Sequence, residues 1–325
     1  MARIALHGVV HRSDLARVAG HSGKEHQMDI RAIMMGLAFA VMWSSAFTSA
    51  RIIVADAPPM TALAIRFVIS GLMAMGLARM LGQRIRLTRG QWISVVVFGV
   101  CQNALYLGLN FIAMQTIEAG FASIIASTMP LIVGLLGWVV FRDRLPMLAV
   151  VGLVVGFAGV ALIMGSRISG GVDMYGLILC VIAAVALAVA TLSVRTASGG
   201  GNLLMVVGLQ MLVGAIALAP FALALEPFEV NWNTGLVAAF AYTTLVPGLA
   251  ATWVWFELVQ RIGAVRAATF HFLNPFFGVA IAAVLLGEQL GLLDVIGVAV
   301  VTVGILAVQL SKQKPAPVTA DRAAT

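Results

Sequence analysis

Asn103, Tyr106 and Asn110 stand at i, i+3 and i+7 in an otherwise apolar stretch, with Gln102 adjacent. On a helix this spacing puts two amides and a phenol on one side, able to hydrogen-bond a polar solute or a neighbouring helix. Three polar groups in register exceed what packing requires, which favours the solute. Ala267, His271, Asn274 and Gly278 form a second small or polar stripe at i, i+4, i+7 and i+11. Pro275 has no N–H and is expected to leave the His271 carbonyl unbonded, beside an imidazole and an amide. That set suits a substrate ammonium or hydroxyl. His271 could also carry a proton, since an unperturbed imidazole titrates near ~6.5, although a lone buried histidine is more often simply hydrogen-bonded. Pro130 and Pro247 free the carbonyls of Ala126 and Thr243 by the same logic. Trp43 and Ser44, and later Thr252 and Trp255, add aromatic walls and hydroxyls away from the expected helix ends, whereas Trp92 and Trp232 fall at ends, where interfacial anchoring is the ordinary role. Arg66 is the one strongly basic group well inside an apolar run. Binding a carboxylate, snorkelling, bonding carbonyls and pairing with an acid are all open to it, with structure favoured.

These residues must be positioned inside a bilayer. From Ile30 to Leu310 the chain reads as ten apolar runs, over residues 31–53, 59–81, 91–113, 119–141, 146–166, 174–195, 203–225, 234–258, 264–286 and 291–310. A run near ~20 residues spans a hydrocarbon core of about 30 Å at 1.5 Å per residue. The composition agrees, being 61% hydrophobic and 10% charged with a mean hydropathy of +1.04. Apolar residues fill every face of these helices, which excludes a soluble helical bundle. The net charge of +7 does not mean nucleic acid, because Lys and Arg are scattered among helix ends without an aromatic-laced cluster. Cys101 and Cys180 lie within apolar runs with no metal-ligand spacing. Gly-Lys-Ser/Thr phosphate loops, His-Glu-x-x-His pairs and Gly-x-Ser-x-Gly elbows are absent from the sequence, so no cofactor is expected, and an intramembrane enzyme or a structural or sensory subunit is the weaker reading.

With the N-terminus taken as cytoplasmic, seventeen Lys/Arg residues fall on the cytoplasmic side, Arg51 and Arg167 on the other, and Arg66 within a span. The positive-inside rule then puts both termini in the cytoplasm of a cell inner or plasma membrane protein. Residues 1–29 and 311–325 are expected to be cytoplasmic tails, too polar to bury a core, with translation starting at Met1 or Met28.

Sliding the chain on itself by 145 residues aligns Phe111 with Phe256, Ala119 with Ala264, Pro130 with Pro275, Asp143 with Glu288, Gly152 with Gly297 and Gly159 with Gly304. Five spans per half is an odd number, so the second half, 167–310, must enter the membrane opposite to the first, 30–166. The expected fold is thus an all-α integral membrane protein of two inverted five-helix repeats, with a solute site near the midplane. Asp143 and Glu288 are expected to tether loops or cap the next helix. The glycines of the fifth and tenth runs serve either intramolecular packing or a homodimer.

The motifs Trp43-Ser44-Ser45-Ala46-Phe47, Arg66-Phe67, Tyr106-Leu107-Gly108-Leu109 and Ala122 through Pro130-Leu131 to Asp143-Arg144-Leu145 resemble the drug/metabolite transporter superfamily, EamA type. Ala267 through Asn274-Pro275 and Gly287-Glu288-Gln289-Leu290 repeat that likeness in the second half. The resemblance implies ten helices around a central cavity and a cargo of small organic solutes such as amino acids or related metabolites, often exported. Asp143 stands where the family usually has Glu.

Overall fold

The computed structural model describes residues 30–142, 145–193 and 202–311. Asp143, Arg144, Arg195, residues 1–29 and residues 312–325, which carry several of the expectations above, lie outside them, while Ser311, expected in the C-terminal tail, ends the last helix. Ten helices among the described residues are long and apolar enough to cross a membrane. They are α1 (Ile30–Asp56), α2 (Pro59–Met80), α3 (Arg89–Ala113), α4 (Ala119–Val140), α5 (Met147–Ser169), α6 (Met174–Leu192), α7 (Leu203–Leu225), α8 (Thr234–Ile262), α9 (Arg266–Leu286) and α10 (Leu292–Ser311). Large apolar side chains such as Val154, Leu223 and Val284 face outward, which suits lipid better than water.

The repeat is visible in the backbone. α4 breaks at Thr128 and resumes at Met129, and α9 passes through a 3₁₀ turn, Phe270–Leu273, and resumes at Asn274, 145 residues later. Each new segment has proline at its second position, where the missing N–H costs no helical bond. Both segments then end on a left-handed cap at matching positions, Arg142 with φ 56° and Gly287 with φ 68°. α3 widens into a π-helical stretch over Gly99–Leu107 and α8 into one over Val246–Ala250, again overlapping under the same shift. The packing follows the repeat as well: α2 lies on α7, α4 on α9 and α5 on α10, while α1 meets α8 and α9 as α6 meets α3 and α4.

Glycines set the distance across α5 and α10. A Cβ on Gly304 would stand 2.4 Å from the Gly156 nitrogen, and one on Gly152 would stand 2.8 Å from the Gly304 carbonyl oxygen. Of the two readings the sequence left open, the structure uses these glycines for packing within the chain.

One membrane face, made by the connections at 57–58, 114–118, 170–173, 226–233 and 287–291, carries a set of carboxylate ties between distant helices. Glu288 accepts from the N–H groups of Ala119 and Gly120 at 2.7 and 2.8 Å, closing the N-terminus of α4. Glu226 does the same for α2, accepting from Met60 and Thr61 N–H at 2.7 and 2.8 Å and from the Thr61 hydroxyl at 2.8 Å. Arg167 forks onto Asp294, with Nη2 2.9 Å from Oδ2, and reaches Glu118 at 2.6 Å. Arg51 donates to the Met114 carbonyl. Glu288 is thus a tether as expected, but to a helix of the other half and not to the one that follows it.

The Thr116 hydroxyl donates to Asp173 at 2.6 Å, and the Gly176 and Tyr175 N–H groups donate to the same carboxylate. The Thr116 bond, with the backbone donors behind it, holds the Asp173 carboxyl below its ordinary value of 3.8. A depressed carboxyl stabilises the fold above its unfolded pKa and loses that contribution as pH falls through the folded value. Asp173→Asn is therefore expected to lower the melting temperature slightly at pH 7 and to match the parent once pH drops below the carboxylate range, as read by melts of the purified protein in detergent.

Candidate functional site

A cavity of about 80 Å³ opens inside the bundle, walled by α1, α2, α3 and α7 and by the break in α8. α3 gives it Asn103, Tyr106 and Asn110, with Gln102 beside them, so the stripe read from spacing does share a face even though the backbone there is π-helical. π turns inside transmembrane helices recur at functional sites because they redirect side chains without ending the helix. Trp43 enters from α1, Arg66 from α2 and Pro247-Gly248 from α8. Aromatic and sulfur-bearing walls are completed by Phe47, Phe67, Phe111, Met114 and Met211.

Local hydrogen bonds fix the polar lining. The Asn103 amide donates to the Gln210 carbonyl at 2.8 Å, holding α3 to α7, and the Asn110 amide donates to the Tyr106 carbonyl at 2.7 Å. The interhelical and local hydrogen bonds of the stripe and the cavity lining thus fall on one surface. Having no N–H, Pro247 fits the π turn, and Gly248 leaves room behind it: a Cβ there would lie 3.1 Å from the Thr243 carbonyl oxygen and 3.4 Å from an Arg66 Nη.

The second group of candidates gathers elsewhere. His271 packs edge-on against Phe39 and Trp255, each with ring centroids 5.1 Å away, and Trp43 lies 6.2 Å from it. Its Nδ1 pairs with the Asn274 amide at 2.9 Å, and the Ser44 hydroxyl donates to the Asn274 carbonyl at 3.3 Å. Thr252 donates to the Gly248 carbonyl at 2.9 Å, one turn from Trp255. Ser44, Thr252, Trp255, His271 and Asn274 therefore lie outside the cavity lining, and only Trp43 belongs to both groups. The expectation for Pro275 is corrected in detail. The 3₁₀ turn lets the Asn274 N–H take up the His271 carbonyl, so that oxygen is not free. Gly278 packs into Ser123 of α4, since a Cβ would fall 1.8 Å from the Ser123 hydroxyl.

Phe39, Met114 and Met211 are contributors that sequence reasoning missed, for the plain reason that an apolar residue among apolar residues has no mark, and Phe47 and Phe67 entered only as motif residues without a site role. Arg66 had one, as the single cation deep within a run. Trp92 and Trp232 are exposed, in keeping with interfacial anchoring.

A model of the EamA-like transporter family matches residues 30–165 and again 174–310. An uncharacterized transporter of Bacillus subtilis, YvbV, is 26% identical over 272 residues, covering 83% of this chain and 88% of its own. Protein PecM of Dickeya dadantii is 22% identical over 265 residues, covering 81% and 86%. A solved crystal structure superposes with a TM-score of 0.63 at 20% identity, over 87% of this chain and 98% of the other, a likeness of fold.

Proposed function

The chain belongs to the EamA-like transporter family, a multi-pass membrane transporter and not an enzyme, and from that premise we propose that it carries small organic solutes, amino acids or related metabolites, outward across the inner or plasma membrane by alternating access. The observation that carries this reading is the cavity between helices of both repeats, lined by aromatic walls and hydrogen-bonded amides beside the π turns of α3 and α8. Residues 30–166 and 167–310 act as the two rocking halves, and residues 1–29 and 311–325 are cytoplasmic tails. Supporting that orientation, Arg79, Arg84, Arg86 and Arg89 crowd the connection between α2 and α3, opposite the carboxylate ties.

Trp43, Asn103, Tyr106 and Asn110 contact the solute. Ser44, Thr252, Trp255, His271 and Asn274 form its flank, through which α9 and α8 brace the Trp43 wall. Solute and bilayer are the partners this function requires, with association into a homodimer an optional addition. Proteoliposomes loaded with a panel of amino acids and amines test the reading. Asn103→Ala and Tyr106→Ala are expected to cut flux by about tenfold, the equivalent of losing one contact of about 1.4 kcal/mol, with membrane insertion intact. His271→Ala and Asn274→Ala should cost less. Wild-type liposomes that move nothing in the panel would overturn transport through this cavity.

A further inference from the structure

Arg66 is only 6% exposed, yet among the described residues its guanidinium has neither an ion pair nor a hydrogen bond, and its Nε is buried without a partner. Its Cζ lies 5.6 Å from the ring centroid of Phe67. An arginine cannot discard its charge near neutral pH, so a buried one without a counter-ion is a costly arrangement. None of the residues lining the cavity is acidic. The carboxylates of Glu118, Asp173, Glu226, Glu288 and Asp294 are all committed at one membrane face, to Arg167, Thr116 or helix ends. With no carboxylate among the cavity-lining residues, an anion entering the cavity is the counter-ion open to Arg66.

A second orphan belongs to another residue of the same lining. The Asn110 amide nitrogen is spent on the Tyr106 carbonyl, which can only accept, so the amide orientation is fixed. That leaves Asn110 Oδ1, buried and without a partner, as an acceptor in the cavity lining.

We infer that Arg66 and the side-chain carbonyl of Asn110 form a receptor for the carboxylate and an adjacent N–H or O–H donor of one organic acid, so that the cargo is an amino or hydroxy acid and not an organic cation. The guanidinium fork matches a carboxylate in bidentate geometry, Oδ1 takes the ammonium or hydroxyl, and Trp43 and Tyr106 wall the apolar remainder. An organic cation would meet a fixed positive charge. A phosphate monoester would bring two charges to one arginine.

This deepens the transport reading and rests on it, so the test separates the two. Reconstituted protein is given leucine, phenylalanine and threonine, each beside its decarboxylated amine and its methyl ester, with leak through protein-free liposomes subtracted. Wild-type protein should move the acids at least tenfold faster than the matched amines and esters. Arg66→Gln should erase that ratio to within twofold, Arg66→Lys should restore part of it, and the melting temperature of Arg66→Gln should stay level or rise as an unpaired charge is removed. Asn110→Leu should depress amino acids more than their deaminated acids. Equal flux of acid and amine through wild-type protein, or an Arg66→Gln variant that keeps the preference, would overturn the receptor while leaving transport standing. Flux of no member would overturn transport itself.

Discussion

Gly304→Ala is expected to destabilise the folded protein by about 3 kcal/mol or more, the upper range for forcing extra volume into a packed interior. The reason is that the added carbon has nowhere to go. It would stand 2.4 Å from the Gly156 nitrogen and 2.5 Å from its Cα, with the Gly152 carbonyl oxygen at 2.8 Å, and these are backbone atoms that no rotamer change can withdraw. α5 and α10 would have to separate along a seam where each glycine lies against the other helix. Gly165→Ala, in the same α5, provides the control: nothing stands within 4 Å of its Cβ position, and losing a helical glycine should gain up to about 1 kcal/mol. Thermal melts in detergent, read by monodispersity after heating, check both. Equal melting points for the two variants would mean that close approach at Gly304 contributes nothing to stability.

The ten spans were legible because each is a local property of composition and length, and the ends agree within a few residues, α1 reaching Asp56 where the sequence stops the run at residue 53. The 145-residue offset was legible for a related reason: Pro130 and Pro275 mark the same break, and residues 142 and 287 the same left-handed cap. The site was only half legible. Spacing on α3 brought Asn103, Tyr106 and Asn110 together, because a stripe on one helix depends on that helix alone. Spacing on α9 grouped His271 with Asn274, which hydrogen-bond each other, but no residue of α9 lines the cavity, because Gly278 beds into Ser123 and the His271 ring sits against Phe39 and Trp255. Periodicity carries no information about the partner across the gap. The carboxylate ties were invisible for the same reason, as Glu226 lies 165 residues from Thr61 in sequence and Glu288 168 residues from Gly120.

Those ties carry the second large expectation. Glu226 and Glu288 each place a carboxylate on the N–H groups that open a helix, where the helix dipole favours a negative charge. Both belong to the second half of the chain and both hold a helix of the first. If the halves rock, this face cannot open without leaving buried or half-buried N–H groups unpaired, so the two clamps favour the closed arrangement of this face. A hydrogen bond to a charged group contributes about 1.5–3 kcal/mol, so Glu288→Ala should move the balance toward the open arrangement by roughly ten- to a hundredfold. The measurement is the labelling rate of Ala50→Cys, a cavity-lining position, by a membrane-impermeant thiol reagent applied from this face, with Cys101 and Cys180 replaced by serine and alanine. The rate should rise with Glu288→Ala and rise further with Glu226→Ala added. Gly120→Ala offers an independent route to the same end, because its Cβ would sit 2.9 Å from Glu288 Oε2 and push the carboxylate off its donors. A lower melting point with unchanged labelling in all three would show that the clamps stabilise the bundle without gating it.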